Sequence, residues 1–238
     1  MRAMSRIVLP TGTTAELVRP ASGDATRGLV LWPDIMGLRP LFDEHATRLA
    51  DEQRWVVCAV EPFPGREELG LEERQATAKD LDDDAKLADT GAAADAIAGV
   101  LGDAPIGLLG FCMGGMYAMK SLALGRFDRA VAFYGMVRVP EHWQGAGQRD
   151  AIDAVKARGD ASLLCIFGLG DPYCPEEQID EVEAAGAEVV RYEGAGHGWA
   201  HDASRENYRT EDAADAWRRA LAFLSAAPTS SGSPARRA

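Results

Sequence analysis

The sequence has no apolar run long enough to cross a bilayer, which takes about 20 residues. Its first ten residues offer no secretory hydrophobic region of adequate length. Both absences lead us to expect a cytoplasmic protein with no membrane partner. Basic patches are missing as well. Against 37 Asp and Glu stand only 25 Lys and Arg, a net charge of −12. With no basic stripe to neutralise phosphates, nucleic acid is disfavoured as a partner. Cysteine is scarce: Cys58, Cys112, Cys165 and Cys174 show no CxxC spacing, and no clustered histidines of zinc-site type accompany them. We therefore expect no metal, and no disulfide in a reducing compartment. Cys58 and Cys165 lie inside apolar runs and read as small buried hydrophobes. The chain also contains no Gly-x-Ser-x-Gly, the usual setting of a nucleophilic serine.

What is present is an ordinary globular composition, 47% hydrophobic and 26% charged over 238 residues. That length suits one large α/β domain with a substantial core. Strand-like and helix-like segments alternate, which predicts a mostly parallel central sheet with helices on both faces. Strands are expected at 7–9, 15–18, 29–32, 55–60, 106–109, 130–134, 162–167 and 188–192. Helices are expected at 42–50, 81–101, 116–123, 150–156, 175–185 and 210–226, with a mixed loop and helix over 61–80. The domain is expected to span residues 1–226. Residues 227–238, rich in Ser, Pro and Gly, have the composition of a disordered tail. The acidic run Asp80, Asp82, Asp83 and Asp84 reads better as a charged helix start than as a metal site.

The central feature is Gly110-Phe111-Cys112-Met113-Gly114, which follows an apolar strand and precedes a helix. Glycines two before and two after a nucleophile-type residue make the nucleophile-elbow pattern. The turn is strained, so its neighbours must lack a Cβ. It presents the central side chain at the end of the sheet and at a helix N-terminus, where negative charge is favoured. A thiol placed there is a candidate nucleophile. Alone the pattern is ambiguous, because glycine-rich turns also bind phosphates and buried cysteines are often inert. The rest of the chain narrows it. Asp171 lies just beyond the strand at 162–167, and His197 lies in the glycine-rich loop beyond the last strand. Nucleophile, acid and histidine thus occur in the order Cys112, Asp171, His197, which is the order of α/β-hydrolases.

These residues resemble the dienelactone hydrolase family. The resemblance rests on Gly110 to Gly115, Tyr134-Gly135, Gly168 with Asp171-Pro172, and Gly196-His197-Gly198-Trp199. It extends to Trp32-Pro33-Asp34-Ile35-Met36-Gly37-Leu38 and to the C-terminal helix around Ala216-Trp217, so it covers nearly the whole chain except the tail. It implies a Cys-His-Asp triad that opens a small ester or lactone through a thioester, with no cofactor. It also implies an oxyanion hole made by the backbone N–H groups of Ile35 and Met113. Asp34 stands where the family has a glutamate that interacts with the resting thiol, which makes it a thiol-modulating candidate. Two departures touch the substrate. His201 occupies the place of an arginine that holds a substrate carboxylate, with Arg205 four residues on as a substitute. The second family arginine corresponds to Arg74 or Arg66. Tyr134, Trp199 and Tyr173 are candidate pocket-wall residues. The alternatives are a general carboxylesterase or thioesterase for activated esters, a non-catalytic family member, and a redox sensor pairing Cys112 with Cys174. A monomer or homodimer is expected.

Overall fold

The computed structural model describes residues 3–159 and 162–227. Of the expected tail only Ala227 lies among the described residues. Its carbonyl accepts a hydrogen bond from Arg129 Nη2 at 3.0 Å.

Eight described strands form one sheet: β1 (Ala3–Val8), β2 (Thr14–Arg19), β3 (Arg27–Trp32), β4 (Trp55–Val60), β5 (Ile106–Phe111), β6 (Ala130–Phe133), β7 (Leu163–Gly168) and β8 (Glu188–Tyr192). Their order across the sheet is β1-β2-β4-β3-β5-β6-β7-β8. Only β2 runs against its neighbours; β3 to β8 are parallel. The reason lies in the residue pattern. Strands β3 to β7 are buried along their whole length and, apart from Arg27 at the start of β3, apolar throughout, as strands covered on both faces must be. Edge strand β8 is only half-buried.

The helices are α1 (Pro40–Gln53), α2 (Leu71–Thr77), α3 (Asp83–Leu101), α4 (Met113–Lys120), α5 (Ala151–Arg158), α6 (Glu176–Ala184) and α7 (Thr210–Ser225). Helices α1 and α7 share one face, where the rings of His45 and Trp217 lie 5.3 Å apart. Helices α3 to α6 pack in succession on the other. Pro40 opens α1, where its missing N–H costs nothing. The Asp82 side chain caps α3 by accepting from the Ala85 N–H at 2.9 Å, so the acidic run is a helix start.

One boundary moves in a way that matters. The pattern places the elbow helix from residue 116, but α4 begins at Met113, directly after Cys112. Local propensity disfavours Gly114 and Gly115 in a helix. Tertiary contact requires them, because a methyl on Gly114 would overlap the carbonyl oxygens of Trp32 and Pro33. That close approach brings the N-terminus of α4 against the chain leaving β3.

Candidate active site

Cys112 sits between β5 and α4 at φ 56° and ψ −122°, a strained conformation for a residue with a Cβ. Its N–H donates to the Phe133 carbonyl at 3.0 Å, which ties the turn to β6. The next amide, Met113, is the first of α4 and has no intrahelical partner. Ile35, three residues beyond β3, brings its own amide to the same end of the sheet. Among the described residues neither amide has an acceptor.

His197 lies beyond β8 and Asp171 beyond β7. His197 Nδ1 and Asp171 Oδ2 are 2.7 Å apart, with the carboxylate fully buried. Cys112 lies beside this imidazole at the same cleft and interacts with it electrostatically. Burial disfavours a charge on His197, but neighbouring Cys112 and Asp171 outweigh it and push the imidazolium up to about 10. The ring is held at its edge by Tyr173, 5.0 Å between centroids, and its carbonyl accepts from Asn207 Nδ2 at 2.6 Å. All three residues predicted from the elbow and the chain order therefore meet at one point.

They open into a cleft of about 490 Å³. Ile35, Met36, Leu71, Met136, Trp143 and Tyr173 make an apolar wall; Asp34, Gln75, His201, Arg205, Glu206 and Asn207 make a polar one. His201 and Arg205 both line this cleft, but the His201 side chain is 1% exposed and its two ring nitrogens meet Tyr134 and Asp34.

Three other expectations need correction. Arg74 does not face the cleft. Its guanidinium is 1% exposed and pairs at 2.9 Å with Glu61, which is 0% exposed. It also donates to the carbonyls of Ile35, Leu69 and Glu67 at 3.2, 2.9 and 2.7 Å. A cation so fully used supports the loop instead of binding substrate. Arg66, its alternative, lies against the Phe63 ring, 5.8 Å from the centroid, and is not among the cleft-lining residues. Tyr134 and Trp199 are fully buried and line no part of the cleft. Tyr134, at the strained φ of 37°, sits behind the histidines with its ring 5.3 Å from that of His197. Trp199 packs beneath it against Tyr192, 4.6 Å between centroids. Asp34 lines the cleft, with its carboxylate hydrogen-bonded to the Met36 N–H, Arg39 and His201.

Cys174 is buried, and its thiol donates to the Gly135 carbonyl at 3.5 Å. Burial, with Asp171 and Cys112 nearby, pushes that thiol well above its usual range, so it supplies little thiolate for a redox exchange. Cys58 is likewise pushed up by burial, to about 12.

The sequence reading missed Glu61 and Arg39. Glu61 accepts from the N–H groups of Leu38 and Phe63, each at 2.9 Å, and so fastens the chain after β3 to the chain after β4. Its one sequence signal is a charged residue directly after a wholly apolar strand. Among the described residues no group of three or more His, Cys, Asp or Glu side chains is placed to hold a metal ion. No described helix is long and apolar enough to cross a membrane.

A nearly all-parallel sheet with a positive-φ elbow after its fifth strand is the fold of an α/β-hydrolase. A crystal structure of a Klebsiella pneumoniae protein assigned as a dienelactone hydrolase superposes with a TM-score of 0.83 at 22% identity, over 95% of this chain and 99% of that one. The particular family follows from sequence: the model of the dienelactone hydrolase family matches residues 14–227, and the chain belongs to that family. It is 30% identical over 227 residues to the carboxymethylenebutenolidase of Rhodococcus opacus, covering 86% of this chain and 83% of that protein. A Synechocystis protein assigned as a carboxymethylenebutenolidase matches a shorter stretch, 33% identical over 121 residues, 48% of this chain and 47% of the relative. The protein is thus a hydrolase of carboxylic esters or lactones.

Proposed function

We propose that the protein hydrolyses a small activated ester or lactone through Cys112, His197 and Asp171, with a thioester intermediate. The observation that carries this reading is the Asp171–His197 hydrogen bond, with His197 lining the same cleft as Cys112 on its strained elbow. Asp171 fixes the imidazole orientation and favours its charged form. The Cys112 thiolate attacks the carbonyl carbon, and the carbonyl oxygen becomes an oxyanion between the amides of Ile35 and Met113. The C–O bond breaks as His197 gives its proton to the departing oxygen. Water then attacks the thioester while His197 takes a proton from it. The C–S bond breaks, the acid departs, and the thiolate–imidazolium pair is restored.

A thiolate leaves a tetrahedral intermediate more readily than an alkoxide does, so simple alkyl esters tend to revert. Enol lactones, aryl esters and thioesters avoid that reversal because their own leaving groups are good. Arg205, on the polar wall, is the cation available to a substrate carboxylate. A guanidinium can grip a carboxylate with two hydrogen bonds, which a neutral histidine such as His201 cannot. A second reading, a broader esterase or thioesterase for activated esters, is favoured by the apolar wall and by the removal of Arg74 from the cleft.

The test is hydrolysis of p-nitrophenyl acetate and of cis-dienelactone by wild type and by Cys112→Ala. Activity on both, lost in the variant, supports the triad and the lactone together. Activity on the aryl ester alone keeps the mechanism and favours the broader reading. Undiminished activity in the variant would overturn the mechanism.

A further inference from the structure

Asp34 has no free lone pair to offer. Its Oδ1 accepts from the Met36 N–H at 3.0 Å and from Arg39 Nη1 at 2.6 Å. Its Oδ2 accepts from Arg39 Nη2 at 2.9 Å and lies 2.8 Å from His201 Nε2. Although burial opposes the charge, His201 and Arg39 hold this carboxyl well below the usual carboxylate range. An ionised carboxylate only accepts, so His201 must donate through Nε2. Burial pushes His201 down against the pull of Asp34, so the ring is neutral and its Nδ1 carries a lone pair. That nitrogen lies 2.5 Å from the Tyr134 hydroxyl, which must therefore be the donor. The result is a second Asp–His line beside the first, this one ending on a hydroxyl, running Tyr134 O–H to His201 and His201 N–H to Asp34.

This line is rigid and has a visible load. His201 stacks on Phe111 at 5.2 Å, and its carbonyl meets His45 Nε2 at 2.7 Å. Asp34 opens the tight turn 34–37, closed by the Gly37 N–H donating to the Asp34 carbonyl at 2.9 Å. Ile35 is inside that turn. Swinging the Asp34 side chain toward the thiol would give up all four hydrogen bonds and loosen the turn.

We propose that Asp34, His201 and Tyr134 are positioning residues that fix the Ile35 amide of the oxyanion hole, and that Asp34 takes no part in ionising Cys112. The proposal rests on the triad reading above. It explains a histidine at position 201, since a neutral imidazole can accept from Tyr134 while donating to Asp34, and a guanidinium, which only donates, cannot.

Two readouts separate this from a role at the thiol. The first is kcat for p-nitrophenyl acetate. The second is the pH midpoint of Cys112 alkylation by iodoacetamide, which needs the thiolate but no oxyanion hole. For His201→Leu, kcat is expected to fall by about 10- to 100-fold, short of the 10²- to 10³-fold loss of a whole oxyanion donor, with the alkylation midpoint unmoved. Tyr134→Phe gives a smaller fall in the same direction. His201→Gln, whose amide keeps a donor near Asp34, regains most of the kcat, which distinguishes positioning from a general loss of folding. An unchanged kcat in His201→Leu overturns the proposal, and so does a shifted alkylation midpoint. Independently of hydrolysis, ¹⁵N shifts should report His201 as the neutral Nε2–H tautomer at pH 7; the Nδ1–H tautomer or an imidazolium overturns the line. A wild type that alkylates normally but hydrolyses no activated ester would instead remove the triad reading, while the tautomer measurement still tests the line itself.

Discussion

Arg74→Leu decides between the sequence expectation for Arg74 and its position in the structure. The substitution keeps apolar bulk beside the Phe63 ring, on which the guanidinium sits at 5.0 Å from the centroid. It removes the cation from Glu61, whose carboxylate is then left with two backbone N–H donors and no counter-charge in a fully buried place. It also strips the carbonyls of Ile35, Leu69 and Glu67 of a donor. Breaking a buried pair by removing one partner costs about 3–5 kcal/mol. For a domain of this size each kcal/mol moves Tm by about 2–4 °C, so we expect a fall of about 6–20 °C. Thermal unfolding of wild type and variant is the assay, with KM for a carboxylate-bearing aryl ester measured alongside. Adding Glu61→Gln should recover part of the loss, because the stranded charge disappears. A Tm change under about 2 °C together with a large rise in KM would refute the argument and return Arg74 to the substrate.

Asp171→Asn should leave the fold intact and lower kcat by about 10⁴-fold, as loss of the orienting carboxylate does in a serine triad; a loss under tenfold would remove Asp171 from the mechanism. In Cys112→Ala the His197 ring loses Cys112, the largest of the groups raising it, so its NMR titration midpoint should drop from about 10; an unmoved midpoint would show that Cys112 is not its partner. Glu16 is buried and faces Asp43, and these push its carboxyl up to about 7. A raised carboxyl favours the folded state at low pH and loses that stability as pH climbs from its unfolded value through 7. Urea unfolding should therefore show wild type losing stability between pH 5 and 8 and Glu16→Gln losing less; parallel curves would refute the pairing.

The sequence by itself determined the framework. Runs such as 55–60 and 106–111 are apolar at every position and too short for a helix of ordinary length, which fits strands covered on both faces. The elbow was legible because its strain must be met locally, by glycines at fixed spacing. The order Cys112, Asp171, His197 was legible because each follows a recognisable strand. The start of α4 was less so, since Gly114 and Gly115 speak against a helix until the backbone of residues 32–33 is seen to need their space.

Tertiary structure alone decided what each remaining charged or aromatic side chain faces. Nothing within a few residues of Arg74 tells that Glu61 lies 2.9 Å away, or that the pair is buried. Tyr134 and Trp199 follow strand and loop ends in the manner of pocket walls, yet the chain folds over them. Asp34 and His201 are 167 positions apart and meet at 2.8 Å because β3 and the loop after β8 both end at the carboxyl edge of one sheet. Local sequence sets backbone preference and burial pattern, both short-range properties. The partner of a buried charge is set by which strand ends the sheet order brings together, and that order is a property of the whole fold.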